Sequence, residues 1–112
     1  MNILFVCTGN TCRSPMAEAL FKYLLEKNQV EGIHAGSAGT AAFPGQNASR
    51  QAERVMEEMG ISLVGHRSRL IDEDLLDKAD LILTMTDRHK TFVQAQHPSV
   101  WKKVHTLKEY VG

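Results

Sequence analysis

Residues 3–18 read Ile3-Leu-Phe-Val6-Cys7-Thr-Gly-Asn10-Thr-Cys12-Arg13-Ser14-Pro15-Met-Ala-Glu18. The run from Asn2 to Val6 is short and continuously apolar, which fits a strand buried on both faces of a parallel sheet better than an amphipathic edge strand. A helix is predicted to follow, with Ser14 as its N-cap and Pro15 at its first position. Apolar residues then recur at helical spacing through Met16, Ala17, Leu20, Phe21, Leu24 and Leu25. Between strand and helix lies the turn Cys7 to Ser14, in which five residues separate a cysteine from an arginine.

That turn has the makings of a phosphate cradle with a thiol in it. Thiolate is the nucleophilic form of cysteine, and a helix N-terminus, a guanidinium and hydroxyl donors all favour it over the thiol. The sequence places all three around Cys7, with Ser14 the nearest hydroxyl in the chain. Five intervening residues suffice to wrap backbone N–H groups around three phosphoryl oxygens while Arg13 binds two of them. Gly9 and Asn10 suit the curve because both tolerate positive φ, and the Asn10 side chain can brace the loop from within. Such a cradle stabilises the charge that spreads over the equatorial oxygens in phosphoryl transfer. A cysteine alone would more often be a core residue; the full string, not Cys7 by itself, carries the functional reading. Cys12 is either an inert neighbour or a redox partner that forms a disulfide with oxidised Cys7.

With 112 residues, 43% hydrophobic composition and 13 acidic against 13 basic side chains, the chain reads as one small domain with an adequate core. Balanced charge and the absence of a Lys/Arg block leave no electrostatic footprint for nucleic acid or an anionic membrane. No segment approaches bilayer-spanning length, and two closely spaced cysteines fit catalytic or redox chemistry in a reducing compartment, so the expected location is cytoplasmic. Further strands are predicted within Gly32–Gly39, at Ala79–Met85 and at Lys103–Leu107. Further helices are predicted at about Ser49–Met59, stopped by Gly60, at Asp72–Lys78 and at Asp87–Gln96, with Ile61–Ser68 an irregular link. This alternation argues for an α/β fold: a four-stranded parallel sheet with helices on both faces and a phosphate-binding loop after the first strand. Ligands of such sheets bind at the carboxyl ends of the strands.

The string Cys7-Thr-Gly-Asn-Thr-Cys-Arg13-Ser14 resembles the signature of the low-molecular-weight protein tyrosine phosphatase family. Ser37-Ala-Gly39, Gly65-His-Arg-Ser68, Ala79 to Met85 and His105 to Tyr110 are similar to runs found in its members. The resemblance implies that Cys7 is the nucleophile, Arg13 the phosphate clamp and Ser14 the hydroxyl that steadies the thiolate. The phosphate-binding loop comprises Thr8, Gly9, Asn10, Thr11, Cys12, Arg13 and Ser14, with Asn10, Ser37 and His66 in the network that shapes it. Phe43 matches a position that often carries an aromatic wall beside the substrate; without the family it would read as an ordinary loop or core residue. No cofactor or metal is implied. Phosphorylated proteins are the expected partners, and inorganic phosphate or similar oxyanions the expected small ligands.

Family members place their general acid in an Asp-Pro pair beyond the stretch resembling His105 to Tyr110, ahead of a last helix. No Asp-Pro dipeptide occurs in this chain. The expectation is therefore a single domain, residues 1–112, truncated at its C-terminus, lacking the last helix and impaired in turnover. General acid catalysis is worth on the order of 100 to 10,000-fold. Asp87 is the one substitute acid considered, placed after the third strand. Thr11 occupies a position where tyrosine-directed members carry a bulky aliphatic residue, and the whole string is similar to that of the bacterial branch that dephosphorylates protein arginine. Phosphoarginine is accordingly the expected substrate, with phosphotyrosine as the alternative. A phosphate-binding module with little turnover is a second reading. Arsenate reduction, which uses a related loop, needs further cysteines, and none follows Cys12.

Overall fold

In strand β1 (Asn2–Cys7) every residue from Ile3 to Cys7 is buried, so the strand must be covered on both faces and paired on both edges. It is: β1 pairs in parallel with β2 (His34–Gly39) on one side and with β3 (Leu81–Thr84) on the other. Strand β4 (Val104–Thr106) pairs in parallel with β3, giving the order β2-β1-β3-β4. The structure, a computed structural model, describes residues 1–111; Gly112, the last residue of the expected domain, lies outside the described residues.

Side chains alternate across the strands with period two. Leu4, Val6 and Ile82 face a core completed by Leu76 of α3 (Glu73–Lys78), Val93 of α4 (Asp87–Gln96) and Val100. Ile3, Phe5, Leu81 and Leu83 face the opposite core, against Ala17 and Phe21 of α1 (Arg13–Lys27) and Leu107 of α5 (Leu107–Val111). The Phe5 and Phe21 rings meet edge to face at 5.8 Å. A third cluster joins α1 to α2 (Arg50–Glu58) through Ala52, Met56, Ile61, Leu63 and Met16. Each buried aliphatic or aromatic side chain contributes about 1.5–3 kcal/mol, so the two-sided core holds the sheet and its helices together.

Most predicted elements lie where the sequence puts them. Ser49 caps α2 by accepting from the Ala52 amide, Gly60 ends that helix at φ +75°, and Asp72 and Thr86 cap α3 and α4. The start of α1 differs: it begins at Arg13, with Cys12 in the cap position and no side-chain cap. Ser14 is fully buried inside the first turn because its hydroxyl is committed to other partners. The strand predicted to reach Leu107 ends at Thr106, and α5 follows unanticipated. Its signal is the capping box Thr106-x-x-Glu109, in which the Thr106 hydroxyl accepts from the Glu109 amide (3.1 Å) and the Glu109 carboxylate accepts from the Thr106 amide (2.8 Å).

In the order β2-β1-β3-β4 the chain leaves β1 first to one side and then to the other. The crevice of such a sheet opens at the carboxyl ends of the diverging strands, here β1 and β3. On the other side of β1, Gly39 at the end of β2 packs closely against the turn after β1. A Cβ there would lie 2.3 Å from the Thr8 carbonyl oxygen and 2.9 Å from the Ala42 Cβ. Gly39→Ala must therefore push the loop after β1 out of place, with a destabilisation of about 1–3 kcal/mol. Urea denaturation should show a lower midpoint at unchanged slope, accompanied by loss of phosphate affinity.

Candidate active site

The turn after β1 is built by donors from outside it. The Cys7 carbonyl accepts from the Thr40 amide (2.8 Å), Thr8 from Ala41 (3.0 Å), Thr11 from Ser49 (2.7 Å) and Cys12 from Met16 (3.1 Å). The Asn10 carbonyl accepts from His66 Nε2 at 2.7 Å. Within a trans peptide the C=O and the following N–H point in opposite directions. Turning these carbonyls outward therefore turns the amides of Thr8, Gly9, Thr11, Cys12 and Arg13 toward the inside of the loop. The amides of Thr8 to Cys12 have no acceptor among the described residues, which is the electrostatic requirement of an anion cradle.

Asn10 is fully buried and holds φ +56°, a left-handed conformation that asparagine tolerates. Its Oδ1 accepts from the Arg69 amide (2.8 Å) and its Nδ2 donates to Ser14 Oγ (2.9 Å). Ser14 Oγ stands 2.9 Å from Cys7 Sγ. Either atom can donate in the neutral pair, but a Cys7 thiolate only accepts, so toward the thiolate the Ser14 hydroxyl is the donor while its oxygen accepts from Asn10. The chain of donors runs Arg69 amide, Asn10, Ser14, Cys7, and it ends on the atom that benefits from negative charge.

Arg13 is exposed and no carboxylate pairs with it among the described residues. It opens onto a cleft of about 340 Å³ lined by Thr8, Thr40, Thr86, Arg88, His89 and Phe92 as well. Thr11 is half-buried, its side chain folded over Gly9. Asp87 is exposed in the first turn of α4 and is not part of the cleft wall.

The remaining expected site residues are distributed less simply. His66 reaches the loop directly. Ser37 does not: its hydroxyl donates to Glu18 Oε1 on α1, and it is tied to Asn10 only through Arg69, whose Nε donates to the Ser37 carbonyl (3.2 Å) and whose amide donates to Asn10. Phe43 projects into solvent, 76% exposed, outside the cleft wall, while its carbonyl accepts from the Ser68 hydroxyl. Cys7 and Cys12 are both free thiols, and Cys12 packs on the α1–α2 cluster. His89 was not among the expected site residues. Nε2 of this buried histidine is hydrogen-bonded to Thr8 Oγ1 (2.8 Å) and Nδ1 to Thr86 Oγ1 (3.0 Å). The available signal was its place in the first turn after β3, facing the crevice.

A strand ending in a cysteine-centred anion cradle, followed directly by an exposed arginine at the switch point of a parallel sheet, defines a phosphatase of the cysteine class. The family profile described as low molecular weight phosphotyrosine protein phosphatase matches residues 2–112. A protein-arginine-phosphatase of Bacillus subtilis (strain 168) is 47% identical over 111 residues, which are 99% of this chain and 73% of that protein. The low molecular weight protein-tyrosine-phosphatase PtpB of Staphylococcus aureus is 41% identical, over 99% of this chain and 74% of its own length. Among solved structures, the YwlE arginine phosphatase carrying a C7S mutation and a phosphorylated active-site serine superposes with a TM-score of 0.95. It is 46% identical, with 99% of this chain and 72% of that one covered. The chain belongs to the low molecular weight phosphotyrosine protein phosphatase family and is a cysteine-dependent protein phosphatase.

Burial, and secondarily the nearby Arg13 charge, push His89 below its ordinary pKa of 6.5. The unfolded chain then binds more protons than the folded one once pH falls toward 6.5. This contribution to stability is complete above that pH and is lost on acidification toward the folded value. Urea midpoints measured at pH 7.5 and 5.5 should fall further for the wild type than for His89→Gln. Equal falls would show that His89 does not carry this part of the acid sensitivity.

Proposed function

We propose that residues 1–112 act as one phosphatase domain on phosphoarginine in proteins, with Cys7 as nucleophile and Arg13 as phosphate clamp. The observation that carries the reading is the directed contact of Ser14 Oγ with Cys7 Sγ beneath a ring of inward amides. In the first step the Cys7 sulfur attacks phosphorus in line, the S–P bond forms and the bond to the leaving nitrogen breaks. The leaving nitrogen takes up a proton as the bond breaks, so that arginine departs intact. In the second step water attacks the phosphocysteine, phosphate leaves and the thiolate is restored. Inward amides and the Arg13 fork hold the three equatorial oxygens throughout, which lowers the barrier because charge accumulates there in the transition state.

Substrate preference for arginine rests on the polarity of the pocket. Thr8, Thr40, Thr86 and Arg88 outnumber the single aromatic Phe92 in the cleft wall, where an aromatic ring would be better served by aliphatic side chains; Thr11 lies over Gly9, outside that wall. Phosphotyrosine is the alternative substrate within the same chemistry, and a curated relative of similar identity carries the name of a tyrosine phosphatase. Unpaired Cys7 and Cys12 thiols fit a cytoplasmic location, where thiols are kept reduced.

Two measurements test this. Cys7→Ser should lower turnover by on the order of 1,000-fold or more, as removal of a nucleophile does, while leaving the fold intact by circular dichroism. Thr11→Ile should move the ratio of kcat/KM for a phosphoarginine peptide over a phosphotyrosine peptide toward tyrosine by roughly tenfold, the effect of reshaping one pocket contact. An unchanged ratio removes Thr11 from the specificity argument, and a chain that binds phosphate but turns over neither peptide is a binding module instead.

A further inference from the structure

The hydrogen bonds around His89 have only one economical set of directions. Thr86 Oγ1 accepts from the His89 amide at 3.3 Å and also contacts His89 Nδ1 at 3.0 Å. If Nδ1 carried the ring proton, Thr86 Oγ1 would accept twice and its own hydroxyl proton would be stranded on a half-buried side chain. If Nε2 carries it, the Thr86 hydroxyl donates to Nδ1 and Nε2–H donates to Thr8 Oγ1 at 2.8 Å. The hydroxyl proton left without a partner then belongs to Thr8, which is exposed and faces the cleft beside Arg13. Both threonines line the cleft, but Thr8 is exposed and Thr86 half-buried, so an unpaired donor costs less on Thr8 and the second arrangement is favoured. The lowered proton affinity of His89 agrees with a neutral ring holding a single proton.

We propose that His89 is a positioning residue for substrate binding: it fills one lone pair of Thr8 Oγ1, and so presents the Thr8 hydroxyl as a donor to a phosphoryl oxygen held in the cradle. The inference rests on the phosphatase reading and adds to it a side-chain donor beside the backbone amides and Arg13. His89 reaches the substrate only through Thr8. Thr86, at the N-cap of α4, fixes the tautomer, so β3 and its following turn tune a donor located after β1.

The test is calorimetric titration of the chain with inorganic phosphate for the wild type, Thr8→Val, His89→Leu, the double variant and His89→Gln. Each of the first two single variants should weaken binding about tenfold, the scale of one hydrogen bond to a charged group. The double variant should bind no more weakly than Thr8→Val alone, because both changes remove the same donor. His89→Gln, whose amide N–H can take the place of Nε2–H, should restore most of the affinity. Independent, multiplying losses in the double variant, or wild-type affinity in Thr8→Val, would overturn the proposal. If His89→Leu does not fold, Thr8→Val and His89→Gln still decide it. A wild-type chain that binds no phosphate at all would instead refute the phosphatase reading on which the proposal stands.

Discussion

The structure depends on keeping five consecutive-region carbonyls, those of Cys7, Thr8, Asn10, Thr11 and Cys12, turned away from the centre of one loop. Their donors come from the segment after β2, from His66, from the cap of α2 and from α1. Converging amides carry like partial charges, and a loop of this kind without outside anchors would relax to let water solvate them. The left-handed Asn10 adds a further cost of about 1–2 kcal/mol. Its side-chain oxygen, side-chain nitrogen and carbonyl each make a hydrogen bond to the protein, at about 1 kcal/mol apiece. These outweigh the strain and leave the cradle preorganised.

Sheet order explains how so many anchors reach one loop. Because β1 lies between β2 and β3, the turn after it is flanked by the turns after both neighbours. Thr40 and Ala41 approach from one side, Thr86 and His89 from the other. An edge strand would offer only one such flank. The close approach of Gly39 to the Thr8 carbonyl is part of the same geometry, since nothing larger than hydrogen fits where the two turns meet.

Contiguous features were legible in the sequence and tertiary ones were not. Cys7, Arg13 and the glycine and asparagine between them stand together in the chain, so their joint geometry follows from one strand, one turn and one helix. Ser14 could be seen as a polar residue at the helix start, but its oxygen accepts from the Asn10 amide group and faces the Cys7 sulfur instead of accepting from a helix N–H, which depends on Asn10 folding back over it. Phe43 was placed by resemblance as a pocket wall and here lies in solvent. His89 lies 81 positions from Thr8 and has no local pattern that marks it; only the adjacency of β1 and β3 brings them into contact. The α5 capping box was fully local and readable, and the strand reading of Lys103–Leu107 obscured it.

The charge balance of the chain conceals how unevenly its charges are placed. Equal numbers of acids and bases suggest no electrostatic preference, yet two guanidiniums, Arg13 and Arg88, line the cleft and, among the described residues, no carboxylate does. Several acids are occupied elsewhere. Glu18 holds Lys22 and Ser37, Glu109 holds Lys90, Asp72 caps α3, and Asp80 accepts from the Asn2 amide. Opposite unit charges in contact at a partly desolvated site attract by about 4 kcal/mol, which a substrate phosphate would have to displace if Arg13 were already paired. Keeping the acids engaged away from the crevice leaves that attraction available to the ligand, so local affinity for phosphate coexists with a net charge of zero.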